Sequence, residues 1–277
     1  MYLIDYHMHS KHSTDGNDTI SRLCENAIKK GLDEIAITDH FEPSAKNISY
    51  REYKPNAYWK DVLAARDKFK GKLNIKMGVE LGQPHQFKET SELLLKSLPY
   101  DYVIGSAHKF PDGTDVSELN FDKINLDDLY VDYLKELKAL ADWGQLDCVG
   151  HLDLIKRYGA NHFKTRITLM NKPELLRDVL KTLIEKGRGL EINTSGLRQA
   201  PKETMPGIDV LKLYRELGGE ILTIGSDAHF ACDVGKGVID AVNLAHEAGF
   251  NYITVFENRR PQWKKIIDKK CSQKISV

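Results

Sequence analysis

YLIDYHMHS, residues 2–10, is a short apolar run that closes on two histidines one residue apart. Side chains alternate between the two faces of a strand, so His7 and His9 fall on the same side and can grip one ion jointly. The arrangement returns along the chain. Apolar runs close on His40 in IAITDH (35–40), Glu80 in NIKMGVE (74–80), His108 in VIGSAH (103–108), His151 in CVGH (148–151), and Asp227 with His229 in TIGSDAH (223–229). A lone His-x-His carries little information. Metal-competent residues at the ends of so many predicted strands call for an architecture that gathers strand ends.

Strands are predicted over 2–6, 34–38, 74–80, 101–107, 147–150, 189–193 and 221–225. Helical patterns lie near 18–30, 56–70, 88–97, 125–142, 171–187, 206–217 and 235–247. In the first of these, Ile20, Leu23, Cys24, Ala27 and Ile28 share one face, and Gly31 follows as a stop. Such alternation indicates a parallel sheet with helices outside it. The strand-end ligands favour a barrel, in which the carboxyl ends of all strands open on one face. The expectation is an α/β fold, a distorted (β/α)7 TIM-like barrel with a metal site at the C-terminal ends of the strands. An eighth run, NYITV (251–255), is followed by FENRRP without an obvious ligand, and is either a further strand or the approach to the terminal segment. No linker or repeat divides the chain, so 1–267 reads as one barrel domain and 268–277 as a polar tail.

The 277 residues suit a single barrel of this class, and 41% apolar with 29% charged residues suits a chain with a sizeable core. Forty basic residues balance forty acidic ones, so no global field draws nucleic acid or an anionic membrane. Cys24, Cys148, Cys232 and Cys271 are scattered, with no Cys-x-x-Cys pair. Together with the absence of a signal-like amino terminus or a membrane-length apolar run, this points to a soluble cytoplasmic protein.

Imidazole and carboxylate together suit zinc, iron and manganese, whereas calcium and magnesium prefer oxygen alone. A carboxylate such as Glu80 has two oxygens and can bridge two ions. Two neighbouring ions make hydroxide available at neutral pH and offset charge on a phosphoryl group under attack. The motifs DYHMHS, TDH, GVE, GSAHK, GHLD and GSDAH resemble those of the polymerase and histidinol phosphatase (PHP) family of metal-dependent phosphoesterases, over nearly the whole chain. Within it, length and motif wording look most like the monofunctional histidinol-phosphate phosphatases.

The resemblance implies three divalent transition-metal ions, zinc, manganese or iron. His7, His9, Glu80 and Asp227 would hold the first, and Glu80, His108 and His151 the second. Asp15 of the HSTDG loop, with His40 and His229, would hold the third. It implies hydrolysis of the monoester L-histidinol phosphate to L-histidinol and phosphate, in histidine biosynthesis, by attack of a metal-bridging hydroxide. Asp227 and His229 are the catalytic candidates for helping the leaving group. Arg157 and Arg198 match positions thought to anchor substrate in these phosphatases, and guanidinium suits phosphate. Lys109 is a further candidate, and Glu118 or Asp115 of PDGTDVSE would meet the cationic part of the substrate.

Plainer readings apply elsewhere. His12, His85, His162 and His246 read as structural or surface histidines. Asp5 and Asp39 are candidates for orienting ligand imidazoles, a turn role being as probable for Asp39, and Tyr50, Tyr53, Tyr58 and Trp59 form either a lid or ordinary packing. A PHP-type phosphodiesterase or exonuclease is the first alternative function, disfavoured by the balanced charge. A non-catalytic PHP scaffold is the second, disfavoured by the cost of keeping so many polar groups in a cleft. An amidohydrolase-like site also uses His-x-His, but fits the bridging Glu80 and paired SDAH less well.

Overall fold

The computed structural model describes residues 1–43, 53–163 and 165–266. Its main sheet contains β1 (Ile4–Asp5), β2 (Glu34–Ile37), β3 (His40–Phe41), β4 (Asn74–Gly82), β5 (Tyr102–Ser106), β6 (Cys148–Val149), β7 (Gly189–Asn193) and β8 (Leu222–Gly225). All neighbours are parallel, in the order β1-β2-β4-β5-β6-β7-β8. The short β3 continues β2, since Glu34 pairs with Asn74 and His40 with Glu80 at the same offset. The two are one strand interrupted at Thr38 and Asp39, which explains why β4 is nine residues long.

The sheet closes on itself. The Tyr6 N–H donates to Ile224 O at 2.8 Å, Asp227 N–H to His7 O at 2.7 Å, and His9 N–H to Ala228 O at 2.8 Å. The buried Asp5 carboxylate pins this seam by accepting from Ser226 N–H (2.8 Å) and Gly235 N–H (2.7 Å). Asp5 therefore fastens backbone and touches no ligand ring. The result is the expected seven-stranded barrel, distorted because β1 and β6 are paired over only two residues each.

The outer helices are α1 (Ile20–Lys29), α2 (Pro55–Lys68), α3 (Lys88–Ser97), α4 (Leu126–Trp143), α6 (Pro173–Glu185), α8 (Ile208–Glu216) and α9 (Val238–Glu247). Short α5 (Ile155–Gly159) and α7 (Ser195–Arg198) follow β6 and β7 at the ligand-bearing end. Helix α4 shows why the pattern folds locally. Asn125 caps it by accepting from Asp127 and Asp128 N–H, both acids lie in the first turn, and Gly144 ends it in the left-handed conformation (φ +65°). Its Leu129, Leu134, Leu137 and Leu140 are buried. No described helix is long and apolar enough to cross a membrane.

The open question at 251–255 resolves as strand β9 (Tyr252–Glu257), which pairs antiparallel with β10 (Arg260–Lys265) outside the barrel. Asn258 and Arg259, both at positive φ, make the two-residue turn whose twist matches flanking strands. This hairpin covers the amino-terminal end of the barrel. Arg259 N–H donates to Asp101 O, and its guanidinium pairs with the fully buried Asp147 just before β6. Replacing Arg259 by Ala strips Asp147 of its main cation. Because Arg259 is partly exposed and Arg188 stays 3.7 Å away, the expected loss is roughly 2–3 kcal/mol, below that of a fully buried pair. Urea unfolding measures it, and an unchanged midpoint would show that the pairing of Arg259 with Asp147 adds nothing to barrel stability.

Candidate metal centre

Glu80, buried in β4, is the midpoint of the site. Its Oε2 lies 3.1 Å from His7 Nε2 and 3.5 Å from His9 Nε2, both carried just beyond β1. Its Oε1 lies 2.9 Å from His151 Nε2 after β6 and 3.2 Å from His108 Nε2 after β5. Asp227, after β8, brings Oδ1 to 3.4 Å from His9 Nε2 and 3.8 Å from His7 Nε2. A third group forms beside these, where Asp15 Oδ2 is 2.9 Å from His229 Nε2 and 3.5 Å from His40 Nε2. All nine ligand-competent side chains named from the sequence thus converge at the strand ends, lining or flooring a cavity of about 570 Å³.

The donor set fits metal ions. His7 Nε2, His9 Nε2, His40 Nδ1 and Glu80 Oε2 are buried polar atoms without a hydrogen-bond partner, all directed into the cluster. Leaving such atoms unpaired costs about 1–3 kcal/mol each, and a cation at their meeting point removes that cost. Without one, the groups compensate one another. Burial alone would lift the Glu80 carboxyl, yet His7, His40 and His108 hold it well below the ordinary range. Burial pulls His108 down, but Glu42 and Glu80 outweigh it and raise the ring to about 9. His9, faced by His40 and His229 as well as buried, falls to about 3.

Among the proposed substrate contacts, Arg157 on α5 reaches the cavity, where its Nη2 donates to Asp227 Oδ2 and, at 2.9 Å, to Ser195 Oγ. Lys109 and Asp115 also line it, 3.9 Å apart, whereas Glu118 is exposed and outside the lining. Arg198 is not among the cavity-lining residues; its Nη2 donates to Ser226 O (2.7 Å) and Asp227 O (3.0 Å), bracing the turn that carries Asp227, while Nη1 is without a hydrogen-bond partner among the described residues. His12, His85 and His162 pair with Asp61, Glu136 and Asp122 away from the cluster. Tyr53 and Tyr58 are packed in the core and Trp59 is exposed, while Tyr50 is outside the described residues.

Comparison with known proteins agrees with this geometry. The PHP domain model matches residues 5–195. The chain belongs to the PHP family. It is 30% identical to the histidinol-phosphatase of Lactococcus lactis over 94% of this chain and 96% of that one, and 26% identical to the histidinol-phosphatase of Bacillus subtilis over 83% and 95%. A crystal structure of the Lactococcus lactis enzyme complexed with zinc, L-histidinol and phosphate superimposes with a TM-score of 0.84 at 28% identity, covering 94% of this chain and 98% of that one. The PHP match ends before Asp227 and His229, which the barrel seam brings to the cluster.

Several residues in this PHP site escaped sequence reading. Glu191, buried in β7, accepts from His7 Nδ1 at 2.7 Å and from His151 N–H at 2.8 Å. It thereby presents His7 Nε2 to Glu80 and Asp227, the usual way a carboxylate sets a ligand tautomer. Glu42 stands in the same relation to His108 Nδ1 (2.6 Å), and Ser106 donates to Glu80 Oε1 at 2.7 Å. Asp39 acts one step removed from the rings. It accepts from Ser10 and Ser13 hydroxyls, and Ser13 Oγ is 3.3 Å from His9 Nδ1. Two non-glycine residues hold positive φ here, His151 at +23° and Asp227 at +53°. Backbone of this kind costs on the order of 1–3 kcal/mol and gathers at functional sites.

Zinc added to metal-stripped protein near neutral pH is expected to release protons, because the raised His7, His40 and His108 must lose theirs to bind. Calorimetry in buffers of different ionisation heat counts them. Glu80→Gln is expected to weaken zinc binding at least tenfold at both groups its oxygens face. Full zinc uptake by that variant at wild-type affinity would remove Glu80 from the centre.

Proposed function

We propose that this protein is a metal-dependent phosphomonoesterase that hydrolyses L-histidinol phosphate to L-histidinol and inorganic phosphate, a step of histidine biosynthesis. One observation carries the reading. Around Glu80 the chain keeps a complete set of imidazole and carboxylate donors beneath a cavity that also holds an arginine, and over almost its full length it resembles an enzyme seen with zinc, L-histidinol and phosphate. Three ions are assigned. His7, His9, Glu80 and Asp227 would hold the first, Glu80, His108 and His151 the second, and Asp15, His40 and His229 the third. The donors suit zinc, manganese or iron alike, so availability decides the occupant.

When bound, the ions acidify water for attack on phosphorus and neutralise charge on the phosphoryl and leaving oxygens. The chain's own groups do the rest. Arg157, held in place by Ser195 and Asp227, offers its guanidinium to the phosphate from the cavity wall. Asp115, whose Oδ1 accepts from Ser117, has Oδ2 for the cationic part of the substrate, and Lys109, 3.9 Å from that oxygen and 3.6 Å from Glu42, offers its charge to the phosphate. Asp115 is better placed for this than Glu118. Asp227 is kept ionised, since Arg157 and His7 more than offset its burial. It therefore has no proton to give the leaving group.

The ligand and acid roles considered for His229 exclude one another. Its Nε2 belongs to the third group and its Nδ1 lies 3.1 Å from Asp227 O, so a ring holding an ion has no proton left for the leaving alcohol. The ligand role fits the geometry better. Among the described residues no disulfide joins Cys24, Cys148 or Cys232, which supports a reducing, cytoplasmic setting.

Released phosphate should appear rapidly with L-histidinol phosphate and far more slowly with bis(p-nitrophenyl) phosphate. A preference for the diester would replace the monoesterase reading with a phosphodiesterase. Arg157→Ala should raise KM for the phosphate ester roughly 10- to 100-fold, the worth of a charge-assisted contact, with zinc content preserved. Lost zinc at unchanged KM would instead make Arg157 a prop for Asp227.

A further inference from the structure

Glu42, in the DHFEP segment directly after β3, has a carboxylate oxygen that faces rings from two different metal groups. Oε1 accepts from His108 Nδ1 at 2.6 Å and lies 3.4 Å from His40 Nδ1. His108 keeps its other nitrogen inward, whereas His40 Nδ1 also faces the cluster, 3.0 Å from Glu80 Oε2, and Glu42 meets it from the side. His108 Nε2 is 3.2 Å from Glu80 and 3.4 Å from His151, while His40 Nε2 is 3.5 Å from Asp15. We infer that Glu42 is a positioning residue that holds His108 by a hydrogen bond and flanks the Nδ1 edge of His40, and so couples the filling of the second and third metal positions. The inference rests on the reading of this cluster as a metal centre.

The placement of Glu42 is built by its surroundings. Oε2 accepts from Gln83 Nε2 at 3.0 Å and lies 3.6 Å from Lys109 Nζ. Gln83 itself sits at positive φ (+38°), with its N–H on Ser106 O at 2.7 Å and its side chain also donating to Pro43 O. Immediately before it, Gly82 ends β4. A β-carbon on Gly82 would overlap both oxygens of the Glu42 carboxylate, so the carboxylate occupies space that only glycine leaves empty. Gly82 does not need positive φ. Alanine there is compatible with the strand and evicts the end of a flexible side chain, leaving every proposed metal ligand unchanged.

Two independent substitutions therefore test one claim. Metal-stripped full-length protein is titrated with zinc against a chromophoric chelator, for the wild type and for Glu42→Ala, Glu42→Gln and Gly82→Ala. Glu42→Ala and Gly82→Ala should each lower zinc affinity roughly 10- to 100-fold, the range for losing a carboxylate behind a ligand histidine. They should also remove more than one zinc per chain at concentrations that saturate the wild type. Glu42→Gln keeps an acceptor in place and should stay within about tenfold of the wild type. Unchanged affinity in both alanine variants overturns the inference, as does loss in Gly82→Ala alone, which would trace to the backbone. A Gln variant as weak as the Ala variant would make Glu42 a direct ligand and also overturn it. If Gly82→Ala does not fold, the two Glu42 variants decide. Failure of the wild type to bind zinc would sink the metal reading itself, a result distinct from all of these.

Discussion

The site depends on a short seam of backbone hydrogen bonds between the first and last barrel strands. Asp227 N–H on His7 O, His9 N–H on Ala228 O and Tyr6 N–H on Ile224 O join segments more than 200 residues apart. His7 and His9 come from one side of this seam, Asp227 and His229 from the other. Were the sheet open, the first metal group would be divided between its two edges. Asp5 secures the closure from beneath, its buried carboxylate satisfied by backbone N–H groups from the β8 side. A feature that looks like ligand chemistry in the sequence is therefore part of the barrel's mechanical closure.

Closure also concentrates charge. Buried acids and imidazoles in one small volume are tolerable only when each is partnered, and the chain meets that demand in layers. Glu191 takes the outer nitrogen of His7, Glu42 that of His108, Ser106 one oxygen of Glu80, and Arg157 one oxygen of Asp227. Of the ligand atoms left unpaired, His7 Nε2, His9 Nε2, His40 Nδ1 and Glu80 Oε2 point to one place, while the outer Nδ1 of His151 lacks a partner among the described residues. This is the arrangement of a site whose remaining valences belong to cations, and the positive φ at His151 and Asp227 is a further cost accepted for it. The hairpin of β9 and β10 lies at the opposite end, where Arg259 compensates Asp147, so stabilising contacts and chemistry occupy different ends of the barrel.

Much of this was legible in advance because it follows from period and punctuation. Seven apolar runs separated by helical patterns led to the barrel strands, and His7, His9, His40, His108, His151 and His229 were visible because each ends such a run. The hairpin was less legible. Asn258-Arg259 makes a two-residue turn without the glycine that usually marks one, and β10 is mostly polar. Glu42 and Glu191 were missed for another reason. Each looks like an ordinary acid beside a strand, and only the approach of a ring from a distant segment gives it a role. Arg198 shows the converse. A guanidinium in the right loop reads as a phosphate contact, and here its Nη2 also braces the carbonyls of Ser226 and Asp227, a second role that the sequence does not show.

What the sequence by itself determined is the inventory and the order: which residues end which strands, and hence which donors stand on the open face of a parallel barrel. That follows from local rules, alternation along strands and amphipathic spacing along helices, which need no knowledge of distant partners. The tertiary structure decided how those donors are shared. Glu80 divides its two oxygens between groups, Asp115 rather than Glu118 reaches the cavity, and Glu42 spans His108 and His40. Such assignments depend on separations of a few tenths of an ångström across the barrel mouth, set by strand register, seam and side-chain packing together. No local stretch of sequence contains that distance.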